Sequence, residues 1–173
     1  MDLRALIVAG LALAFVAAAP AMAMEIESAS ISDGVFSKES GCADLGGRGL
    51  SPQIAVTDVP EGTEYLAIVL DDPDAKPLDG KTWVHWNVVN IPGDHTRIAA
   101  GERPRGDVLP NSDEDESYGG LCPEDGRHTY RLAVFALEDI VDAQDFDELT
   151  VEDFRDEFDD IILDEAMVRA AYP

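Results

Sequence analysis

The sequence predicts a mainly β fold, an antiparallel β-sandwich closed by one or two C-terminal helices, and three observations lead to it. Short apolar runs rich in β-branched and aromatic residues occupy the first two-thirds of the chain, at Gln53 to Val56, Tyr65 to Leu70, Trp83 to Ile91 and Tyr130 to Leu137. Turn signals such as Pro60-Glu61-Gly62, Pro92-Gly93 and Asp125-Gly126 separate them. The apolar period then lengthens in the last quarter of the chain, and strands first with helices last disfavours an alternating α/β plan.

The individual elements follow from their patterns. Tyr65-Leu66-Ala67-Ile68-Val69-Leu70 is apolar on both faces, as in a central strand covered on both sides by a second sheet or a helix. In Trp83 to Val89, two-residue alternation puts Trp83, His85 and Asn87 on one face and Val84, Trp86 and Val88 on the other. Thr150-Val151-Glu152-Asp153 resembles a capping box. Behind it Val151, Phe154, Phe158, Ile161 and Ile162 recur at helical spacing, which predicts a helix packed on the sheet. A second short helix is expected over Ala166 to Ala171.

The N-terminus reads as a leader rather than as part of the fold. Met1 to Arg4 is a short polar start, Ala5 to Ala19 is apolar, and Ala21-Met22-Ala23 offers small residues where a signal peptidase cuts. Cleavage is expected after Ala23, because the apolar run is short of the roughly 20 residues that span a bilayer. Residues 24–173 then form a single domain, with no membrane span, in the periplasm or secreted. In that oxidising setting Cys42 and Cys122 are placed to oxidise to each other, the alternative being two buried free thiols. Such a bond closes a loop on the order of 80 residues, for which chain entropy gives about 4 to 5 kcal/mol.

Charge excludes several partners. Thirty-six acidic residues face twelve basic ones, a formal net charge of −24, and the lysines are just Lys38, Lys76 and Lys81. A surface this negative repels nucleic acid and anionic membranes. Hydrophobic content of 46% in well-formed runs argues against disorder, so the carboxylates read as a solvated shell suited to saline surroundings. The run Asp113-Glu114-Asp115-Glu116 lacks the spacing and glycine of a calcium loop.

Three segments carry polar residues at strand ends. Asp72 shares the face of Leu66, Ile68 and Leu70 and so points inward, where a carboxylate needs partners, although Asp72 and Asp74 also suit a turn cap around Pro73. His85 lies between two tryptophans. His128 and Tyr130 share a face just after the loop Gly119-Gly120-Leu121-Cys122-Pro123, whose glycines permit close backbone approach.

Taken in order, Asp72-Pro73-Asp74-Ala75, Trp83-Val84-His85-Trp86, and Tyr118-Gly119-Gly120 with Cys122-Pro123, Gly126, His128 and Tyr130 resemble the bacterial branch of the phosphatidylethanolamine-binding (Raf-kinase-inhibitor-like) family. Gly49-Leu50-Ser51-Pro52, the closing Ile162-Leu163-Asp164-Glu165-Ala166 and Tyr172 extend the similarity over almost all of the chain after the leader. The resemblance implies a β-sandwich with a small pocket at one end that binds phosphate or a phosphorylated head group, lined or supported by Asp72, Trp83, His85, Gly120, Pro123, His128 and Tyr130. No cofactor is expected, nor a metal between the histidines, and the resemblance puts Cys122 in the pocket loop and Cys42 just before the Ser-Pro turn. Imidazole and phenol groups donate to phosphate oxygens, while Asp72 is given the task of orienting a histidine. Leu121 and Glu124 stand where the family carries prolines, Thr129 where it carries arginine, and Lys76 where a proline follows the aspartate motif, which makes the pocket less cationic than the pattern.

The leading expectation is a binding module for a small anion, which could also regulate a protein partner that the sequence leaves unidentified. The alternative is a metal-assisted hydrolase using Asp72, His85 and His128. Against it, the chain has neither His-x-x-x-His spacing nor a nucleophile elbow. A third reading makes the acidic surface a dock for a basic partner.

Overall fold

A computed structural model describes residues 22–75, 80–143 and 146–173. The leader expected over residues 1–23 lies outside the described residues except for its last two, and Lys76 lies outside them too. The chain runs through β1 (Glu25–Glu27), β2 (Ile31–Ser32), β3 (Val35–Phe36), β4 (Ile54–Thr57), β5 (Tyr65–Asp72), β6 (Trp83–Pro92), β7 (Arg97–Ile98), β8 (Asp107–Leu109) and β9 (His128–Leu137), then a helix α1 (Val151–Glu157) and β10 (Ile162–Tyr172). Among these residues no helix is long and apolar enough to cross a membrane.

The expected β architecture holds in outline but not as two matched layers. A seven-stranded sheet, ordered β2-β3-β10-β9-β5-β6-β8, is antiparallel except where β10 meets β3, and it curls into a half-barrel beside a small sheet ordered β1-β4-β7. β5 sits at the centre, and its alternation builds two cores. Leu66, Ile68 and Leu70 pack with Ile54, Val56 and Ile98 of the small sheet. On the opposite face Ala67 and Val69 pack with Val151, Phe154 and Phe158. The run that is apolar on both sides is therefore covered by strands on one face and by the helix on the other.

The helix begins where its cap predicts. Thr150 Oγ1 accepts from the Asp153 N–H at 3.1 Å, and Asp153 Oδ2 accepts from the Thr150 N–H at 3.1 Å. It stops at Glu157, so Ile161 and Ile162 do not extend it. The second helix expected over Ala166 to Ala171 is a strand instead. Local alanine content favours a helix there, but β9 offers ten residues of antiparallel partner from Ile162↔Leu137 to Tyr172↔His128. With the period set to two, Ala166, Ala170 and Tyr172 enter the first core while Met167 faces the second. Tertiary pairing overrides a weak intrinsic preference.

Cys42 and Cys122 form a disulfide, with Cα atoms 5.4 Å apart. Backbone bonds reinforce it, since Cys42 N–H donates to Leu121 O at 2.9 Å and Leu121 N–H donates to Ser40 O at 3.1 Å. A proline at position 121 would lack that second donor. The leucine side chain is fully buried in the first core.

Candidate functional site

The last residue of β5 is the anchor of the site. Asp72 is buried on the first-core face, as its alternation predicts. Its Oδ1 accepts from the N–H groups of Asp74 (2.9 Å) and Ala75 (3.0 Å), so it caps the turn at Pro73. The other oxygen, Oδ2, accepts from His128 Nδ1 at 2.7 Å. The two readings of this residue, turn cap and inward partner, hold together because the two oxygens divide the tasks.

His85 reaches the same place by a departure from alternation. Leu70 pairs with Trp86 but Asp71 pairs with Val84, leaving His85 without an opposite residue in a bulge. The bulge turns His85 toward Tyr130, at 5.4 Å between ring centroids, while Trp86 stays in the first core. Asn87 therefore does not share a face with His85, contrary to the sequence pattern. Its amide bonds to the N–H (2.7 Å) and C=O (2.9 Å) of Leu149 on the opposite side of the sheet. His85 Nδ1 donates to Gly119 O at 3.0 Å, and Gly119 N–H donates back to His85 O at 2.8 Å. Burial pulls the His85 pKa below the ordinary histidine value, against the opposing effects of the Gly119 carbonyl and Asp72. The neutral ring thus carries its proton on Nδ1 and leaves Nε2 as an acceptor.

His128, the first residue of β9, is in the opposite state. Its Nδ1 donates to Asp72 and its Nε2 donates to Asp125 Oδ1 at 2.8 Å. Two carboxylate acceptors on one ring call for the doubly protonated cation. Burial alone would lower its pKa, but the hydrogen bonds to Asp125 and Asp72 outweigh it and raise the value. Tyr130 stands against both imidazoles, 5.4 Å from His85 and 6.4 Å from His128 between centroids. Its buried hydroxyl meets no hydrogen-bond partner among the described residues. Burial, with the Asp72 carboxylate near but outside bonding geometry, pushes the phenol far above its usual range and keeps the proton in place.

These groups border a cavity of about 710 Å³ lined by Asp72, Trp83, His85, Gly120, Pro123 and His128, and also by Asp44, Leu45, Ala75, Asp113, Cys122, Glu124 and Asp125. Six of the seven residues expected at the site line it, and Tyr130 lies behind the histidines. The glycines act differently from expectation. Gly119 N–H is taken by His85, and a Cβ on Gly120 would sit 2.9 Å from Cys42 Cα and N, so Gly120 permits the crossing of the two disulfide-linked segments. Asp44, Asp113 and Asp125 were not singled out for the site by the sequence. Asp113 belongs to the acidic run read as solvated surface, which Asn111 Oδ1 bends into a turn by accepting from the N–H groups of Asp113 (2.9 Å) and Asp115 (3.1 Å). Thr129, in the family's arginine position, is exposed, and its N–H donates to Asp74 Oδ2 at 2.9 Å.

For metal chemistry the arrangement is unfavourable. Both nitrogens of His128 are committed to carboxylates, and among the described residues no cluster of three His, Cys, Asp or Glu side chains stands at ligand spacing.

The comparisons point to one family. The family model of phosphatidylethanolamine-binding proteins matches residues 27–173. A UPF0098 protein of Methanothermobacter thermautotrophicus is 36% identical over 104 residues, which is 57% of this chain and 67% of that one. The UPF0098 protein YbcL of Escherichia coli is 39% identical over 102 residues, 53% of this chain and 55% of that one. Among solved structures, a phosphatidylethanolamine-binding protein homolog from Chlamydia trachomatis superposes with a TM-score of 0.76 at 27% identity, covering 87% of this chain and 97% of its own. Escherichia coli YbcL, described as a member of the mammalian family, superposes with a TM-score of 0.72 at 26% identity, covering 87% and 98%.

Proposed function

Because the chain belongs to the phosphatidylethanolamine-binding protein family, we propose that it is an exported, non-catalytic binding module that takes a small anion, phosphate or a phosphorylated head group, in the cavity at the end of β5 and β9. The observation that carries this reading is the setting of His128, whose Nδ1 is held by the buried Asp72 and whose Nε2 meets the exposed Asp125 at the mouth of the cavity. Asp72 orients the ring and keeps it charged rather than touching the ligand. His85 contributes an acceptor while neutral and a second charged donor once protonated. Control of a protein partner through the loaded cavity is a further role that such a module would fill.

Acid should favour binding, because His85 is neutral near pH 7 and five carboxylates border the cavity. Calorimetric titration with inorganic phosphate and with phosphoethanolamine across about pH 5 to 8 tests it. Affinity should fall as pH rises, and His85→Ala should weaken binding in acid by about tenfold or more, the worth of a charge-assisted hydrogen bond. Flat affinity across that range would remove the histidines from the mechanism. Export is tested separately. Fractionation that finds the chain only inside the cell would contradict export, and two free thiols in denatured, unreduced protein from the exported fraction would contradict the Cys42–Cys122 bridge.

A further inference from the structure

The ligand-facing nitrogen of His128 is already occupied. Of its two carboxylate partners, Asp72 is a fixture: its side chain is 3% exposed, and its other oxygen is fastened to two backbone N–H groups. Asp125 is placed differently, with its side chain 91% exposed at the cavity mouth, on the loop between the disulfide residue Cys122 and β9. Gly126, with φ of +123°, follows it, a backbone state that L side chains rarely adopt.

We propose that Asp125 is a tethered competitor, a carboxylate of the chain itself that occupies the donor an anionic ligand needs and must be displaced for that ligand to bind. This rests on the anion-pocket reading above. The chemistry is an exchange of acceptors. His128 Nε2–H keeps its proton, the Asp125 oxygen leaves it for solvent, and a ligand oxygen takes its place, with no covalent change. The Asp72 bond holds the ring in position throughout, so the exchange needs no rotation of the imidazole.

A selectivity follows. A tethered group acts at an effective concentration in the millimolar range, so a simple monocarboxylate, which offers His128 the same acceptor as Asp125, gains little by replacing it. Phosphate carries further oxygens that can engage a protonated His85, which lines the same cavity, once inside. Asp125 therefore acts as a specificity-determining residue that filters small carboxylates from oxyanions with several acceptors.

The experiment uses the full chain as exported, with the parent, Asp125→Ala, Asp125→Asn and His128→Ala proteins titrated calorimetrically with inorganic phosphate and with acetate near pH 6. Asp125→Ala should bind phosphate about tenfold more tightly than the parent and should acquire measurable acetate binding. Asp125→Asn, which keeps an acceptor but loses its charge, should fall between them, and His128→Ala should bind neither. In Asp125→Ala the His128 imidazole resonances should move on phosphate addition. Equal or weaker phosphate binding by Asp125→Ala, with binding still lost in His128→Ala, would overturn the competitor and leave the anion pocket standing. No phosphate binding by any of the four would overturn both.

Discussion

Asp71 and Asp72 are neighbours at the end of one strand, both buried, and they serve opposite faces of the sheet. Asp71 receives a two-pronged bond from Arg131, Nε to Oδ1 at 2.8 Å and Nη2 to Oδ2 at 2.6 Å, and Oδ2 also accepts the Val151 N–H at 2.9 Å. Glu152 closes the arrangement from the solvent side of Arg131. Every member is a fixed protein group, and the result fastens α1 to β5 and β9. The Asp71 bond, then Glu152, raises the Arg131 pKa still further, so the cation is permanent. Asp72 instead hands its charge to a histidine whose far side opens on a cavity. One step of strand alternation separates an ion pair closed among buried groups from one whose last partner, Asp125, is exposed at the mouth of a cavity.

The comparison is tested most severely at Asp71. Replacing it with alanine leaves Arg131 buried with half of its partners and leaves the Val151 N–H without an acceptor. Breaking a buried pair in this way costs about 3–5 kcal/mol. Urea denaturation should show that loss, while phosphate affinity of the folded fraction should stay near the parent value. Asp72→Asn should show the reverse emphasis. Its amide oxygen can still cap the turn, so the expected destabilisation is about 1–3 kcal/mol, but His128 should titrate at lower pH and phosphate binding should weaken severely. If Asp72→Asn proved the more destabilising of the two, the division between fixture and site would be wrong.

How much of this was legible follows from the same contrast. The inward aim of Asp72 could be read because Leu66, Ile68 and Leu70 establish the period. His85 stands out by residue type and motif, yet alternation sets it on the face of Asn87, because a bulge has no signature in the side-chain pattern. Ala166 to Ala171 looks helical by composition, but its pairing with β9 decides the strand rather than anything within the segment. Asp44, Asp113 and Asp125 are not legible as site residues for a related reason. In a chain with 36 acidic residues, loop carboxylates look alike until long-range contacts set some of them around a cavity.

Asp113 supplies a smaller test. It lines the cavity, whereas Glu114 belongs to the same acidic turn without lining it. Asp113→Asn should strengthen phosphate binding by less than about tenfold, mainly at low salt, because ions screen exposed charges within about 10 Å. Glu114→Gln should do less at every salt concentration. An equal response from both would reduce the cavity's acidic border to the general field of the surface.

The smallest expected effect is a pH dependence of stability in which the two histidines oppose each other. His128 has its pKa raised above the ordinary 6.5, so its contribution is complete below that value and is lost as pH rises through the folded-state value above it. His85 has its pKa lowered, so its contribution is complete above 6.5 and is lost as pH falls through the interval below it, where the unfolded chain binds the proton first. Glu152, lowered by its bond to Arg131, acts further down, below the ordinary glutamate range, and does not blur this window. Stability should therefore pass through a shallow maximum near pH 6.5, with one histidine responsible for each slope. Urea midpoints measured at close pH intervals should lose their alkaline decline in His128→Ala and their decline just below 6.5 in His85→Ala. An alkaline decline that survives in His128→Ala would mean that the carboxylates on either side of that ring do not hold its charge.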